Sequence, residues 1–353
     1  MSVSGVDRTG RVVLVDWLGR GGIAQTSEAW ALELGARGHM VDVVTRAHRE
    51  LGAGVIAVRG APPARGKLGA HRAVARAAAT RIRETSPTWV VVQNYVVPYL
   101  ERPVYRAARD CGAHVAVVVH DHRLHSRLAG TDAGLVANLR RADVLVAHSD
   151  FVAEHVAART GRDVQVLPHP VPVGLLSHPR VVPAPLDAPG ASDLWCAHFG
   201  VVKRRYKGTE LVEALAAEGV DGWRFAVLGT DRPADRRVLR LTGFVDPGTL
   251  VGAVGATDVT LAPYRLATQS GVVVLAHALG SVPVATRVGG LPEQVHDGVD
   301  GVLVDPDAGV GEWRAVLDDL RDDDHRKALA AAGEERVWAE HAEFASRIAQ
   351  LVR

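Results

Sequence analysis

Short apolar runs recur along the chain, each followed by a polar break that often contains glycine, and then by a stretch with helical spacing. In the N-terminal half, residues 11–17, 41–45, 89–93, 113–119 and 143–148 read as buried strands, with shorter ones at 55–58 and 164–167. Residues 23–35, 70–84, 102–111 and 152–160 read as helices between them. The strands are apolar at consecutive positions, as a parallel sheet covered on both faces requires. Alternation of strand and helix makes each pair a βαβ unit with a right-handed crossover.

The pattern starts again at residues 194–200. Strands follow at 223–228, 238–242, 259–263, 282–286 and 301–304, and helices at 209–217, 247–256 and 272–279. A further helix begins at Pro292-Glu293, and residues 307–320, 323–335 and 337–352 read as closing helices. Between the halves, residues 172–193 hold Pro172, Pro179, Pro183, Pro185 and Pro189 with little periodicity, which marks a linker. The expectation is an α/β protein of two Rossmann-like domains, residues 1–171 and 194–336, with a last helix at 337–353.

Composition narrows the function. The chain has 353 residues and a formal net charge of +1, so binding to nucleic acid gains no electrostatic support. Cys111 and Cys196 are far apart and lack metal-ligand spacing, which fits a reducing compartment. Residues 1–10 lack the apolar core of a signal peptide and no run reaches bilayer-spanning length, so a cytoplasmic location is expected. The predicted helix at 70–84 carries Arg72, Arg76, Arg81 and Arg83. Its other side is mostly alanine, which favours a solvated face and leaves at most a weak membrane-surface contact. Nothing in the sequence indicates an oligomeric state.

Candidate chemistry gathers in loops that follow strands, where open α/β sheets bind ligands. After the first strand, Gly21 and Gly22 do not complete the dinucleotide glycine pattern, so they read as a tight turn or as a place where a ligand meets backbone. Asn94 ends the strand at 89–93. His120-Asp121-His122-Arg123 and His125 follow the strand at 113–119. Lys203, Arg204, Arg205 and Lys207 crowd one loop before a helix start, suited to a diphosphate. Thr268, Gln269, Ser270 and Gly271 form a polar loop that caps a helix. Asp258 reads as structural. Asp322, Asp323 and Asp324 sit at a helix start, where acids favour the dipole, so they make a poor metal site.

Residues 262–293 combine this polar loop with Ala278-Leu279-Gly280-Ser281-Val282-Pro283-Val284 and Gly289-Gly290-Leu291-Pro292-Glu293. The combination resembles the nucleotide-sugar site of the family 4 retaining glycosyltransferases, and the resemblance extends over nearly the whole chain. It implies the GT-B fold, two Rossmann-like domains facing across a cleft, with the last helix crossing back to the first domain. It implies transfer of a sugar from a nucleotide-diphosphate donor to an acceptor hydroxyl with retention of configuration. By the same resemblance His120 acts on the donor sugar, and Lys207, with Arg204 or Arg205, stabilises the leaving diphosphate. Gly21, Gly22 and Glu293 match further family positions, and the backbone around Phe244 borders the base. Gln269 and His277 stand where the family places two Glu residues. Gln269 can bond a sugar hydroxyl, whereas His277 either reaches a ribose hydroxyl or is a satisfied helix histidine. No metal and no cofactor beyond the nucleotide-sugar co-substrate are expected. A nucleotide-sugar epimerase and a non-catalytic nucleotide-sugar-binding subunit are the alternatives. Base, sugar and acceptor are not written in the motifs.

Overall fold

The computed structural model describes residues 10–46, 57–93, 97–121, 131–186, 193–200, 205–230 and 237–352. The chain forms two compact units, the first running through Gly174 and taking in the chain from His341 onward, the second spanning Leu175–Glu340.

The first unit holds β1 (Arg11–Val15), α1 (Gly21–Ala36), β2 (Met40–Thr45), β3 (Ala57–Gly60), α2 (Gly66–Thr85), β4 (Trp89–Gln93), α3 (Pro98–Asp110) and β5 (His114–Val119). It continues with α4 (Thr131–Leu139), β6 (Val144–Ala147), α5 (Asp150–Thr160) and β7 (Gln165–Val166). The strands pair in parallel in the order β3-β2-β1-β4-β5-β6-β7. Alternate residues of the central strands feed two cores. Val13, Val15, Val90 and Val117 pack with α2 and α3 residues such as Val74, Ile82 and Val104. Val12, Leu14, Val91 and Val118 pack with Trp30 and Leu34 of α1 and with Phe344 and Ile348 near the C-terminus. A sheet covered on both faces needs this apolar continuity, which is why the middles of the central strands β1, β4, β5 and β6 are apolar at consecutive positions.

After the short helix α6 (Val173–Leu176), the second unit contains β8 (Leu194–Phe199), α7 (Thr209–Glu218), β9 (Trp223–Thr230), β10 (Val238–Thr242), α8 (Pro247–Gly255) and β11 (Val259–Ala262). Then come α9 (Gly271–Ala278), β12 (Val282–Thr286), α10 (Leu291–Gln294), β13 (Val302–Val304), α11 (Val310–Asp319) and α12 (Asp323–Leu351). Its parallel order is β10-β9-β8-β11-β12-β13.

Three expectations need correction. The expected helices at 323–335 and 337–352 are one element, α12. Gly333 does not break it, because the missing side chain leaves room for the His277 ring, which a Cβ would overlap. The described part of the expected linker, up to residue 186, is not free chain. Leu175 and Leu186 are buried with Trp195 and Val251, and the Val181 amide donates to the Gly248 carbonyl at 3.1 Å. Helix α3 starts at Pro98 rather than at Arg102, since proline is well placed in a first turn. The run Asp322–Asp324 does open α12. Asp322 accepts from the His325 amide at 3.0 Å, and Asp323 pairs with Arg326 and Lys327, each at 2.6 Å. Among the described residues, no helix is long and apolar enough to cross a membrane.

Candidate active site

In the second sheet the chain moves outward from β8 through β9 to β10 and returns to β11 on the other side of β8. The loops after β8 and β11 therefore lie at the switch point of the sheet, on the carboxyl edge where such sheets take ligands. The structure ties these two loops together. The Arg265 amide donates to the Tyr206 carbonyl at 2.7 Å. Gly208, at φ +66°, lies so close to Pro263 that a Cβ would overlap its carbonyl oxygen. Glycine is required there on both counts.

This junction fixes Lys207. Its Nζ stands 3.7 Å from the centroid of the Tyr264 ring, a cation–π contact. Tyr264 is buried, and its hydroxyl lies 3.4 Å from Ser270 Oγ. Ser270 is the N-cap of α9 and accepts from the Val273 amide at 3.4 Å. The Ser270 amide in turn donates to Gln294 Oε1 at 2.7 Å. The amides of Gly271 and Val272, in the first turn of α9, have no acceptor within the helix and add the positive end of its dipole. Lys207 and this helix start thus lie along one chain of contacts, a combination that attracts phosphate. Thr268 and Gln269 lie half-buried in the same loop. Arg204 lies outside the described residues, and Arg205 opens the turn that carries Lys207.

Further along this edge, Glu293 is half-buried in the first turn of α10, after Gly289 at φ +55°. Phe244 follows β10 and is 68% exposed. A large apolar ring left open at the carboxyl edge is an obvious platform for a flat ligand. His277 is placed differently from the ribose contact that was one of its two expected roles. It is 2% exposed, its Nε2 is 3.0 Å from the Gln294 carbonyl, and Arg336 of α12 lies 3.2 Å away. Burial, reinforced by Arg336, lowers its pKa to about 4, so it is a neutral packing residue. Asp258 is structural as expected, accepting from the Trp195 amide at 2.8 Å. Sequence reasoning missed Tyr264, Gln294 and His198. His198 is buried in β8 with Nδ1 2.9 Å from the Leu261 carbonyl, and burial lowers its pKa to about 4.

The first sheet switches direction between β1 and β4. After β1, buried Asp16 accepts from the amides of Leu18 and Gly19 at 2.9 and 3.0 Å and from the Thr45 hydroxyl at 3.2 Å. Burial raises its pKa, against these donors. The turn it holds leads to Gly21, at φ +68°, and Gly22, where a Cβ would meet open space. Asn94 lies outside the described residues. His120, at the end of β5, is 9% exposed, and its Nε2 is 2.6 Å from Oε1 of buried Gln93. Nε2 therefore carries the proton and donates, so Nδ1 has the lone pair. Burial, with His169 nearby, lowers the His120 pKa to about 3. The ring is neutral near pH 7 and serves as a hydrogen-bonding group rather than a cation. His148 and His169 continue the cluster, with ring centroids 5.9 Å apart from His120 to His148 and 5.3 Å from His148 to His169.

Comparison with known proteins gives this geometry a family. The profile of Glycosyltransferase Family 4 matches residues 20–175, and that of Glycosyl transferases group 1 matches residues 196–323. The chain is similar to a solved sucrose-phosphate synthase from Thermosynechococcus elongatus, with a TM-score of 0.75 at 17% identity, covering 97% of this chain and 98% of that one. It is similar to Anabaena Alr3699/HepE, solved in complex with UDP and glucose, with a TM-score of 0.72 at 16% identity and the same coverage. A D-inositol 3-phosphate glycosyltransferase from Corynebacterium diphtheriae is 39% identical over 102 residues, 28% of this chain. That match spans about a quarter of the relative's length, 24%. With both domain profiles matched in order and the GT-B fold shared from end to end, the chain belongs to the family 4 glycosyltransferases.

Proposed function

We propose that this glycosyltransferase moves a sugar from a nucleotide-diphosphate donor to an acceptor hydroxyl with retention of anomeric configuration. The observation that carries the reading is the chain of contacts from Lys207 through Tyr264 to the capped start of α9. The diphosphate lies between the ammonium group and the first-turn amides, which hold negative charge as it builds on the leaving group. Phe244 stacks on the base, and Glu293 and Gln269 take hydroxyls. In the first unit, His120 acts on the transferred sugar as a neutral hydrogen-bonding group. A metal ion has no necessary part, because the Lys207 ammonium group already faces the diphosphate. HepE has been solved with UDP-glucose, which supports a nucleotide-sugar donor here as well. The relatives are glycosyltransferases, which favours transfer over epimerisation.

The test is incubation with UDP-, GDP- and ADP-sugars, with and without a panel of hydroxyl acceptors, in EDTA and again with Mg²⁺ or Mn²⁺. The expected result is acceptor-dependent release of nucleoside diphosphate, a product with the donor's anomeric configuration, and no need for metal. Inverted product, an epimerised donor, or activity abolished by EDTA and restored by a metal each removes part of the reading.

A further inference from the structure

Helix α3 places Arg102, Arg106 and Arg109 on one face through their i, i+4, i+7 spacing, while Val104, Tyr105, Ala107 and Ala108 fill the opposite, buried face. Arg141, in the turn before β6, adds a fourth guanidinium. All four arginines are exposed and line one cavity of about 660 Å³, together with His114 and Asp143. His114 opens β5 and Asp143 precedes β6, so the cavity lies at the amino edge of the first sheet. The turn held by Asp16, and His120, lie at the opposite edge.

The charge in this cavity is poorly balanced within the protein. Four arginines face one carboxylate, Asp143, whose Oδ2 already accepts from the Val115 amide at 2.7 Å. Among the described residues, none of the four forms an ion pair. Arg141 donates to the Ala137 carbonyl at 2.9 Å, and Arg102 stands 5.2 Å from the centroid of the Tyr99 ring. Elsewhere in the same unit arginines do find acids: Arg37 pairs with Glu33 at 2.6 Å and Arg81 with Asp42 at 2.9 Å. Guanidinium forks at this density match phosphoryl oxygens. The volume suits a compact metabolite.

We propose that this cavity binds a phosphorylated small molecule carrying at least two negative charges, at a site separate from the nucleotide-sugar site. The concave form favours a soluble ligand over a flat anionic surface.

The test uses the full chain carrying Lys207→Ala, which weakens diphosphate binding in the second unit, and inorganic pyrophosphate as the probe. Titration calorimetry is run at low salt and at physiological salt. The expected result is saturable binding that survives Lys207→Ala and weakens at least tenfold when Arg106→Ala and Arg109→Ala are added. Arg141→Gln alone should weaken it severalfold. Circular dichroism and melting temperature check that each variant is folded. The proposal is overturned if pyrophosphate does not bind the Lys207→Ala protein, or if the arginine variants bind it unchanged. Binding to phosphatidylglycerol vesicles without binding to pyrophosphate would also overturn it, in favour of a membrane surface.

Discussion

His120 shows how much one residue's role depends on its neighbours. Its place after a buried strand is legible in sequence, but its state is not. Gln93, a strand residue with no motif of its own, fixes the tautomer through a 2.6 Å bond, and burial keeps the ring neutral. The role proposed for it predicts that His120→Ala lowers kcat by about tenfold or more, as loss of one hydrogen bond worth ~1.4 kcal/mol implies. Affinity for the nucleoside diphosphate should stay within about twofold. A large loss of that affinity with normal turnover at saturation would contradict the assignment. Replacing Gln93 with Leu should change the tautomer seen in the ¹⁵N spectrum of His120, and an unchanged spectrum would show that Gln93 does not set it. Lys207 and Ser270 were equally legible, because charge and capping chemistry are local. Tyr264 and Gln294 were missed because each acts through a contact with a distant part of the chain. His277 illustrates the reverse problem, since sequence position alone left both roles open and only burial beneath α12 decided between them.

At the level of elements, strands were the clearest signal. Residues 89–93, 238–242 and 282–286 form strands with the expected limits, since short, mostly apolar runs between polar breaks leave few alternatives. Helix limits were less legible. Helix α2 begins at Gly66, ahead of the expected start, and α4 was not anticipated at all. In both places glycine obscured the helical pattern, and packing on the sheet overrode local propensity. Gly333 is the informative case. In an exposed helix, Gly→Ala would add up to about 1 kcal/mol of stability. Here the new methyl group meets the His277 ring, and overpacking typically costs about 1–3 kcal/mol. Gly333→Ala should therefore lower the melting temperature. A rise in thermal denaturation measurements would show that the His277 ring yields without cost.

For the whole molecule, the restart of the strand–helix pattern at residue 194 was enough to anticipate two α/β units, while the exchange of the C-terminal segment between them depends on long-range packing. The buried histidines have a collective effect. The pKa of His120 falls to about 3, and those of His198 and His277 to about 4, mainly through burial. The unfolded chain takes up these protons near pH 6.5 and the folded chain does not, so the stability contribution is complete above that pH and is lost as pH falls toward 4. At pH 5 each loses on the order of 1–2 kcal/mol. The melting temperature should fall steeply between pH 7 and pH 5, and a flat profile would contradict the buried, neutral assignment. The central claim is that the loop carrying Lys207 holds the donor's diphosphate. The most direct measurement is calorimetric binding of UDP, GDP and ADP to the wild-type chain and to Lys207→Ala. Loss of one charged hydrogen bond is worth about 1.5–3 kcal/mol, so the preferred nucleotide should bind Lys207→Ala roughly ten- to a hundredfold more weakly. Equal affinity in the two proteins would contradict the account.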